Sequence, residues 1–170
     1  MGLLNIIKNN LFIQNFVANI VSLIPAYFEF SVAKYLAIKK AMLMTAQDNT
    51  RGSYLEFGVF TGSSFNFAMK VNKKIEKLGY GDMDCEFIGF DSFKGFGDVK
   101  KNDEHPNFRS HVFSVNKKKV LENINKNAKK QKYRIIEGFY QDTIANKTTK
   151  DLKIDKARIV MIDCDLKEPT

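Results

Sequence analysis

Residues 54–66, with the sequence YLEFGVFTGSSFN, constrain the fold more than any other stretch of this chain. An apolar, β-prone run contains one carboxylate, Glu56, and continues through two glycines, Gly58 and Gly62, into a helical pattern. Glycine permits a tight turn and a close approach of the backbone to a ligand, and the first turn of a helix presents unpaired N–H groups. The stretch therefore predicts a strand–turn–helix unit that binds a small, charged, nucleotide-like ligand.

The rest of the chain repeats this alternation of strand and helix. A helical pattern at about 63–78, which Ser63 or Ser64 can cap, follows the first strand. A second pattern covers about 116–129, with Ser114 as its expected cap, and 143–150 is a poorer, short helix or a loop. The predicted strands are 54–59, 85–90, 133–137 and 157–163. Short turns between them indicate βαβ units, a parallel sheet and right-handed crossovers. We expect an α/β fold, a parallel sheet with flanking helices, whose C-terminal strands are missing, because open doubly wound sheets usually continue past their switch point.

Residues 1–47 are predicted to be an N-terminal helical segment, and residues 48–170 the ligand-binding domain. No charged residue occurs from Asn9 to Phe28, where apolar residues recur at helical spacing. Polar residues interrupt the run and Pro25 cuts it below the length of a membrane span, while no cleavage site marks a signal peptide. We expect an amphipathic helix that packs on the body or forms a homo-oligomer, with contact to a membrane surface as the weaker alternative.

Composition narrows the function only slightly. The 170 residues are 44% hydrophobic and 27% charged, as in ordinary folded domains. The formal charge of +8 raises the question of nucleic acid, but the lysines fall in short runs without interleaved aromatic residues, so no nucleic-acid partner is expected. Two cysteines, Cys85 and Cys164, are too few for a disulfide framework and fit a reducing, cytoplasmic location.

Acidic residues and glycines mark the ends of all four predicted strands. Ligands of doubly wound sheets bind outside the carboxyl ends of the strands, where these residues gather. Any one of them alone could be a helix cap or a turn former, but four strands that all end this way indicate a ligand site. The residues are Glu56 with Gly58 and Gly62, Asp91, Glu137 with Gly138, and Asp163 with Asp165.

Asp91 gives the best indication of the ligand. A carboxylate at the end of the second strand can accept both hydroxyls of a ribose. Asp91 follows the glycines by more than the roughly 20 residues typical of NAD-binding folds. The glycine pattern also lacks the middle glycine that lets a pyrophosphate approach the helix. These features favour S-adenosylmethionine, an adenosine cofactor without phosphates, over NAD or FAD.

Four segments resemble successive motifs of the macrocin O-methyltransferase family. They are EFGVFTGSS (56–64), GFDSFKGF (89–96), EGFYQDTI (137–144) and IDCDLKEPT (162–170). The resemblance covers about 54–170. It implies a Rossmann-like class I methyltransferase fold and an S-adenosylmethionine-dependent enzyme that methylates a hydroxyl of a small sugar or polyol acceptor with the help of a divalent metal.

The resemblance also implies roles for individual residues. Asp163 and Asp165 would both serve catalysis, Asp163 as a metal ligand for Mg²⁺ and Asp165 as a second metal ligand or as the general base. The cofactor would be bound by Glu56, Gly58, Phe60, Gly62 and Ser63 at its methionine end, by Asp91 and Ser92 at its ribose, and by Gly138 and Phe139 at its adenine.

The chain departs from the family pattern near its end. Where the family shows Asp-Gly-Asp-Leu-Tyr, this chain has Cys164 and Lys167, and further family metal ligands would lie after Thr170. Two alternatives therefore stay open. One is a Rossmann oxidoreductase of the NAD type, and the other is a non-catalytic, truncated binding domain.

Overall fold

A computed structural model describes residues 10–80, 84–96 and 113–164. The chain divides into two compact units, Met1–Leu36 and Ala37–Thr170. Asp165, the second residue of the proposed acidic pair, lies outside the described residues.

Helix α1 (Leu11–Ser22) belongs to the first unit, and helix α2 (Ala26–Gln47) begins there and continues into the second. Asn10 caps α1, since its side-chain Oδ1 accepts hydrogen bonds from the N–H groups of Phe12 and Ile13 at 3.0 and 3.2 Å. None of the residues of α1 is buried. In the part of the chain that the structure describes, no helix is long and apolar enough to cross a membrane.

The second unit contains a four-stranded, fully parallel sheet. Its strands are β1 (Ser53–Phe57), β2 (Phe87–Asp91), β3 (Tyr133–Glu137) and β4 (Ala157–Ile162). They lie in the order β3-β2-β1-β4, so that β1 and β2 are central. The predicted parallel α/β architecture is confirmed.

In the described residues of the second unit, three helices connect the strands. They are α3 (Ser63–Ile75), which is extended by a helical turn at Glu76–Tyr80, α4 (Lys117–Ala128) and the single-turn α5 (Tyr140–Thr143). The main core lies where α3, α4 and the second half of α2 meet one face of the sheet, and Phe65, Met69 and Met42 are fully buried there. A smaller cluster around Ile88 and Phe90 covers the other face.

The buried Arg158 fastens α2 and α3 to the sheet from its position on β4. Its guanidinium donates to the carbonyl of Met42 at 2.7 Å, to Thr45 Oγ1 at 2.8 Å and to Asn72 Oδ1 at 3.4 Å. Burial lowers the pKa of this arginine. Hydrogen bonds from all three nitrogens of the guanidinium compensate for its removal from water.

Helix starts differ from the sequence expectation at three places. α3 is capped by Gly62 and not by a serine, because the hydroxyl of Ser64 is used by Glu56. Asn116, not Ser114, caps α4, and its side chain accepts from the N–H of Lys119 at 3.2 Å. The last short helix is Tyr140–Thr143 and lies earlier than the predicted 143–150, directly after the turn at Gly138.

Candidate cofactor-binding site

Backbone hydrogen bonds continue the sheet past the ends of its strands and bring the predicted residues together. The N–H of Gly58 donates to the carbonyl of Phe90 at 3.0 Å, and that of Gly138 to the carbonyl of Asp91 at 3.1 Å. On the other side, the N–H of Asp163 donates to the carbonyl of Phe57 at 2.9 Å. The four strand ends therefore form one contiguous edge, as the sequence predicts.

The turn from β1 to α3 requires glycine at two places. Gly58 has φ 91°, and a Cβ there would overlap the carbonyl oxygen of Asp163. Gly62 has φ 76° and a Cβ there would press on Ile124 at 3.2 Å. The N–H of Gly62 closes the turn on the carbonyl of Val59 at 2.8 Å. The chain can thus pass tightly from strand to helix only with these two glycines.

The N-terminus of α3 carries no side-chain cap and no acidic residue in its first turn. Ser63, the first helical residue, is exposed. The leading N–H groups of a helix have no partner within the helix and attract negative charge. This end of α3 can therefore accept the carboxylate of a ligand.

Glu56 is fully buried beneath this turn. Its Oε2 accepts a hydrogen bond from the hydroxyl of Tyr54 at 2.5 Å, and its Oε1 one from the hydroxyl of Ser64 at 2.7 Å. Burial, and next the charge of Glu56, raise the pKa of Tyr54, so this hydroxyl stays a donor. Glu56 therefore fixes α3 to β1, and a direct contact of its carboxylate with the cofactor stays a prediction.

Tyr54 and Ser64 were not among the residues singled out from the sequence. The alternation of a strand places Tyr54 and Glu56 on the same face, which was the signal available for the first of them. Ser64 was interpreted as a helix cap, and only the packing of α3 on β1 shows that its hydroxyl points to Glu56.

Asp91 lies partly exposed at the end of β2, and backbone N–H groups hold both of its oxygens. The N–H of Phe60 donates to Oδ2 at 2.7 Å, and that of Phe93 donates to Oδ1 at 2.6 Å. Each carboxylate oxygen can accept a further hydrogen bond. The side chain is thus oriented beside the glycine turn and can still accept the two hydroxyls of a ribose.

The neighbouring predicted residues have local roles as well. Ser92 forms a turn, with its hydroxyl donating to the carbonyl of Gly95 and accepting from the N–H of Lys94, both at 3.1 Å. Gly138 has φ 139°, and a Cβ there would meet the methyl group of Thr143 at 2.6 Å. Phe139 is the N-cap residue of α5. Glu137 forms an ion pair with Lys117.

Asp163 is partly exposed at the end of β4, and a small buried cluster supports the backbone after it. The thiol of Cys164 lies 3.4 Å from the carbonyl of Phe57 and 3.3 Å from the hydroxyl of Tyr140. Burial raises the pKa of Tyr140, which keeps this hydroxyl protonated. The cysteine that replaces the family's glycine therefore has packing and polar partners of its own.

The described residues do not form a metal site. Within 10–80, 84–96 and 113–164, no three His, Cys, Asp or Glu side chains are grouped so that they could bind an ion. Asp91 binds two backbone N–H groups and Glu137 pairs with Lys117. Asp163 is the predicted ligand that the structure describes, and it does not suffice alone.

Three phenylalanine rings lie next to the β1–α3 turn. The ring of Phe113 meets the ring of Phe60 and the ring of Phe96 edge to face, with 5.4 Å between centroids in each pair. Phe60 and Phe113 remain 38% and 39% exposed, so this aromatic surface borders the site. Sequence reasoning did not find Phe96 and Phe113.

The sequence profile of the macrocin-O-methyltransferase (TylF) family matches residues 32–170. The chain belongs to this family. The matched range contains every strand and every predicted site residue. Membership in the macrocin O-methyltransferase family favours a methyltransferase over the NAD-type oxidoreductase.

Two solved structures have a fold similar to that of this chain. CalS11, described as a calicheamicin methyltransferase, matches with a TM-score of 0.62 and 21% sequence identity over 97% of this chain and 65% of its own. The apo structure of CalS11, described there as a TDP-rhamnose 3'-O-methyltransferase of calicheamicin biosynthesis, matches with a TM-score of 0.50 and 18% identity over 97% of this chain and 64% of its own. The chain thus spans somewhat less than two thirds of either one, and the likeness shows a Rossmann-like methyltransferase fold. No curated protein matched the chain.

Proposed function

We propose that this chain carries the cofactor-binding part of an S-adenosylmethionine-dependent O-methyltransferase that acts on a hydroxyl of a sugar-like acceptor. The observation that carries the proposal is the carboxylate of Asp91, which two backbone N–H groups orient beside the glycine turn. Family membership supports the methyl transfer, and the TDP-rhamnose named for CalS11 supports a sugar as the acceptor.

The geometry fits the three parts of this cofactor. The ribose hydroxyls would donate to Asp91, and the methionine carboxylate would lie at the uncapped N-terminus of α3 near Ser63. Gly138 and Phe139 would border the adenine, since the N–H of Gly138 is hydrogen bonded to the carbonyl of Asp91 and Phe139 is the next residue. No phosphate has to be accommodated, in keeping with the missing middle glycine.

The chemistry requires an acceptor oxygen in line with the methyl group. This oxygen forms a bond to the methyl carbon, the bond from that carbon to sulfur breaks, and S-adenosylhomocysteine leaves. The hydroxyl proton passes to a general base, and Asp163 or Asp165 is proposed for this role. Asp163 suits it because its backbone is fixed by Phe57 while its side chain is partly exposed.

Metal assistance is a separate proposal that rests on the family resemblance. Asp163 and Asp165 would hold Mg²⁺, which prefers carboxylate oxygens and water and would lower the pKa of a bound hydroxyl. The described residues supply Asp163 only, so no step above depends on a metal. Calorimetry with Mg²⁺ on the wild-type protein and on Asp163→Asn tests the proposal, and equal heats in both would contradict it.

Calorimetry with S-adenosylhomocysteine tests the cofactor site. We expect micromolar binding by the wild type and a loss of at least tenfold in Asp91→Ala, because two ribose hydroxyls lose their acceptor. Asp155→Ala, which alters an exposed carboxylate away from the strand ends, is the matched control. Wild-type affinity in Asp91→Ala would refute the proposed site.

The alternatives predict different outcomes. An NAD-type enzyme would enhance the fluorescence of NADH on titration. A non-catalytic binding domain would show no binding of S-adenosylhomocysteine, and salt-sensitive retention on nucleic acid would favour it.

We also infer that the chain self-associates through α1. The apolar side chains Phe16 and Ile20 are 58% and 49% exposed there. The helix carries no charge on either face, so that a second copy meets no like charge, whereas helices that lie on membranes usually present Lys and Arg. Light scattering after gel filtration should show a dimer that Ile20→Lys dissociates. Asn19→Lys on the polar face is the control, and equal masses in all three proteins would refute the inference.

A further inference from the structure

Two phenylalanines adopt the left-handed backbone region beside Asp91. Phe60 has φ 48° and Phe93 has φ 57°. Non-glycine residues rarely adopt this region, bulky ones least of all, and such strain persists only where the surroundings enforce it. The N–H groups of these two residues are the donors that bind the two oxygens of Asp91.

The two donors differ in what they can fix. Phe93 follows Asp91 by two residues, and its bond closes a local turn of a kind that an aspartate forms without tertiary structure. Phe60 precedes Asp91 by 31 residues and comes from the β1–α3 turn. With Phe93 alone, the carboxylate could still rotate about the end of its side chain. The bond from Phe60 fixes this rotation.

Packing holds Phe60 in its strained conformation. Left-handed glycines, Gly58 and Gly62, lie two residues before and after it. The ring of Phe60 packs edge to face on that of Phe113, at an interplanar angle of 81°. On the other side, Phe93 is buried in the core, and its carbonyl accepts from the N–H of Val115 at 3.1 Å. Both donors are thus held by their surroundings.

We propose that Phe60 is a positioning residue for the ribose of the cofactor, and that it acts through Asp91. Its left-handed backbone aims an N–H group at Oδ2, so that the glycine turn holds Oδ2 while Phe93 holds Oδ1. The ribose-binding carboxylate and the turn that receives the methionine end then form one rigid unit. The inference rests on the proposed function, because the ribose is that of S-adenosylmethionine.

Two substitutions of Phe60 separate its backbone from its ring. Phe60→Asn and Phe60→Val both remove the ring contact with Phe113, but asparagine tolerates the left-handed region while a β-branched residue does not. We expect the dissociation constant of S-adenosylhomocysteine, measured by calorimetry, to rise about tenfold in Phe60→Val and less than about threefold in Phe60→Asn. Equal affinities in the two variants would overturn the inference.

A double-mutant cycle tests whether the effect passes through Asp91. In the Asp91→Ala background, the difference between the Val and Asn variants should vanish, because the acceptor of the N–H group is gone. A difference that persists there would assign Phe60 a structural role and overturn the inference. If Phe60→Val does not fold, Phe60→Ala and Phe60→Gly replace the pair, since glycine adopts φ 48° without strain.

The result also distinguishes this inference from the proposed function. Failure of the wild-type protein to bind S-adenosylhomocysteine would overturn both. Tight wild-type binding that Asp91→Ala weakens at least tenfold, with equal affinities for the Asn and Val variants, would overturn the role of Phe60 alone.

Discussion

The carbonyl oxygen of Asp163 occupies the space where a side chain of residue 58 would lie. A Cβ built on Gly58 comes closer to this oxygen than real Cβ atoms come to any neighbour. The N–H of the same Asp163 donates to the carbonyl of Phe57 at 2.9 Å. The glycine turn proposed for the methyl donor is therefore packed directly on the backbone of Asp163, whose carboxylate is proposed as the base.

Substitution of Gly58 should be costly for two reasons. Gly58→Ala combines the strain of φ 91° with the clash on Asp163, and we expect a loss of about 3 kcal/mol in the free energy of unfolding. Urea denaturation measures it. S-adenosylhomocysteine binding should fall as well, since relief of the clash moves the turn.

Gly79→Ala is the matched control for this prediction. Gly79 has nearly the same φ, 92°, but nothing lies within 4 Å of a Cβ there. The Gly79→Ala variant should lose only the part of the free energy of unfolding that comes from the unfavourable φ, about 1 kcal/mol. Equal losses at the two glycines would show that the contact with Asp163 does not constrain the turn.

Removal of the Arg158 side chain should destabilise the second unit strongly. Arg158→Ala leaves the carbonyl of Met42 and the side chain of Asn72 without their charged donor, and we expect a loss of about 3 kcal/mol in urea denaturation. Arg134→Ala is the control, because Arg134 forms a partly exposed ion pair with Glu86 that should contribute at most about 1 kcal/mol. Similar losses would contradict the role assigned to Arg158.

The stability of the protein should fall at alkaline pH. Burial and Glu56 raise the pKa of Tyr54 in the folded state above the value of about 10 expected for the unfolded chain. The stabilisation is complete below pH of about 10 and is lost as the pH rises further, because the unfolded chain then releases a proton that the folded protein retains. Tyr140, whose pKa is raised by burial, adds to the decline.

Denaturation at several alkaline pH values measures this slope. Tyr54→Phe should lower the stability at neutral pH, because Glu56 loses a donor, but should make the alkaline decline shallower by up to about 1.4 kcal/mol per pH unit. An unchanged slope in Tyr54→Phe would refute the prediction.

Loss of the proposed base should separate catalysis from binding. In Asp163→Asn we expect the methyl-transfer rate constant to fall by about 100-fold or more, since general-base catalysis contributes that much, with S-adenosylhomocysteine binding nearly unchanged. Release of S-adenosylhomocysteine with a panel of sugar acceptors measures the rate. Asp155→Asn is the control, and wild-type turnover in Asp163→Asn would assign the base to another residue.

Much of the edge of the sheet could be predicted from the sequence. Each strand is a short apolar run that ends in an acid or a glycine, and parallel strands with short connections must place these ends together. The bonds from Gly58, Gly138 and Asp163 to the neighbouring strands confirm it. The sequence also predicts that one face of α1 is apolar, but it does not predict which surface this face packs on.

Other features depended on the sign of a backbone angle or on packing. Nothing in the sequence marks Phe60 or Phe93 as left-handed, because the glycines Gly58 and Gly62 already account for a tight turn. The partners of Glu56 could not be predicted either, because a serine at position 64 is equally suited to cap a helix. The packing of α3 on β1 shows that Ser64 binds Glu56 instead. From the sequence, Arg158 is an ordinary charged residue on a strand. Only the packing of α2 shows that it is buried.

The parallel α/β architecture, the row of acids and glycines at the strand ends and the family can all be inferred from the sequence, because they follow from local periodicity and from residue types in a fixed order. How these residues are used depends on packing. In the folded protein, the N–H groups of two strained phenylalanines bind Asp91, Glu56 lies under the turn, and the backbone of Asp163 packs on Gly58. Apart from the local bond from Phe93, these contacts join segments distant in sequence, and local preference carries no information about them.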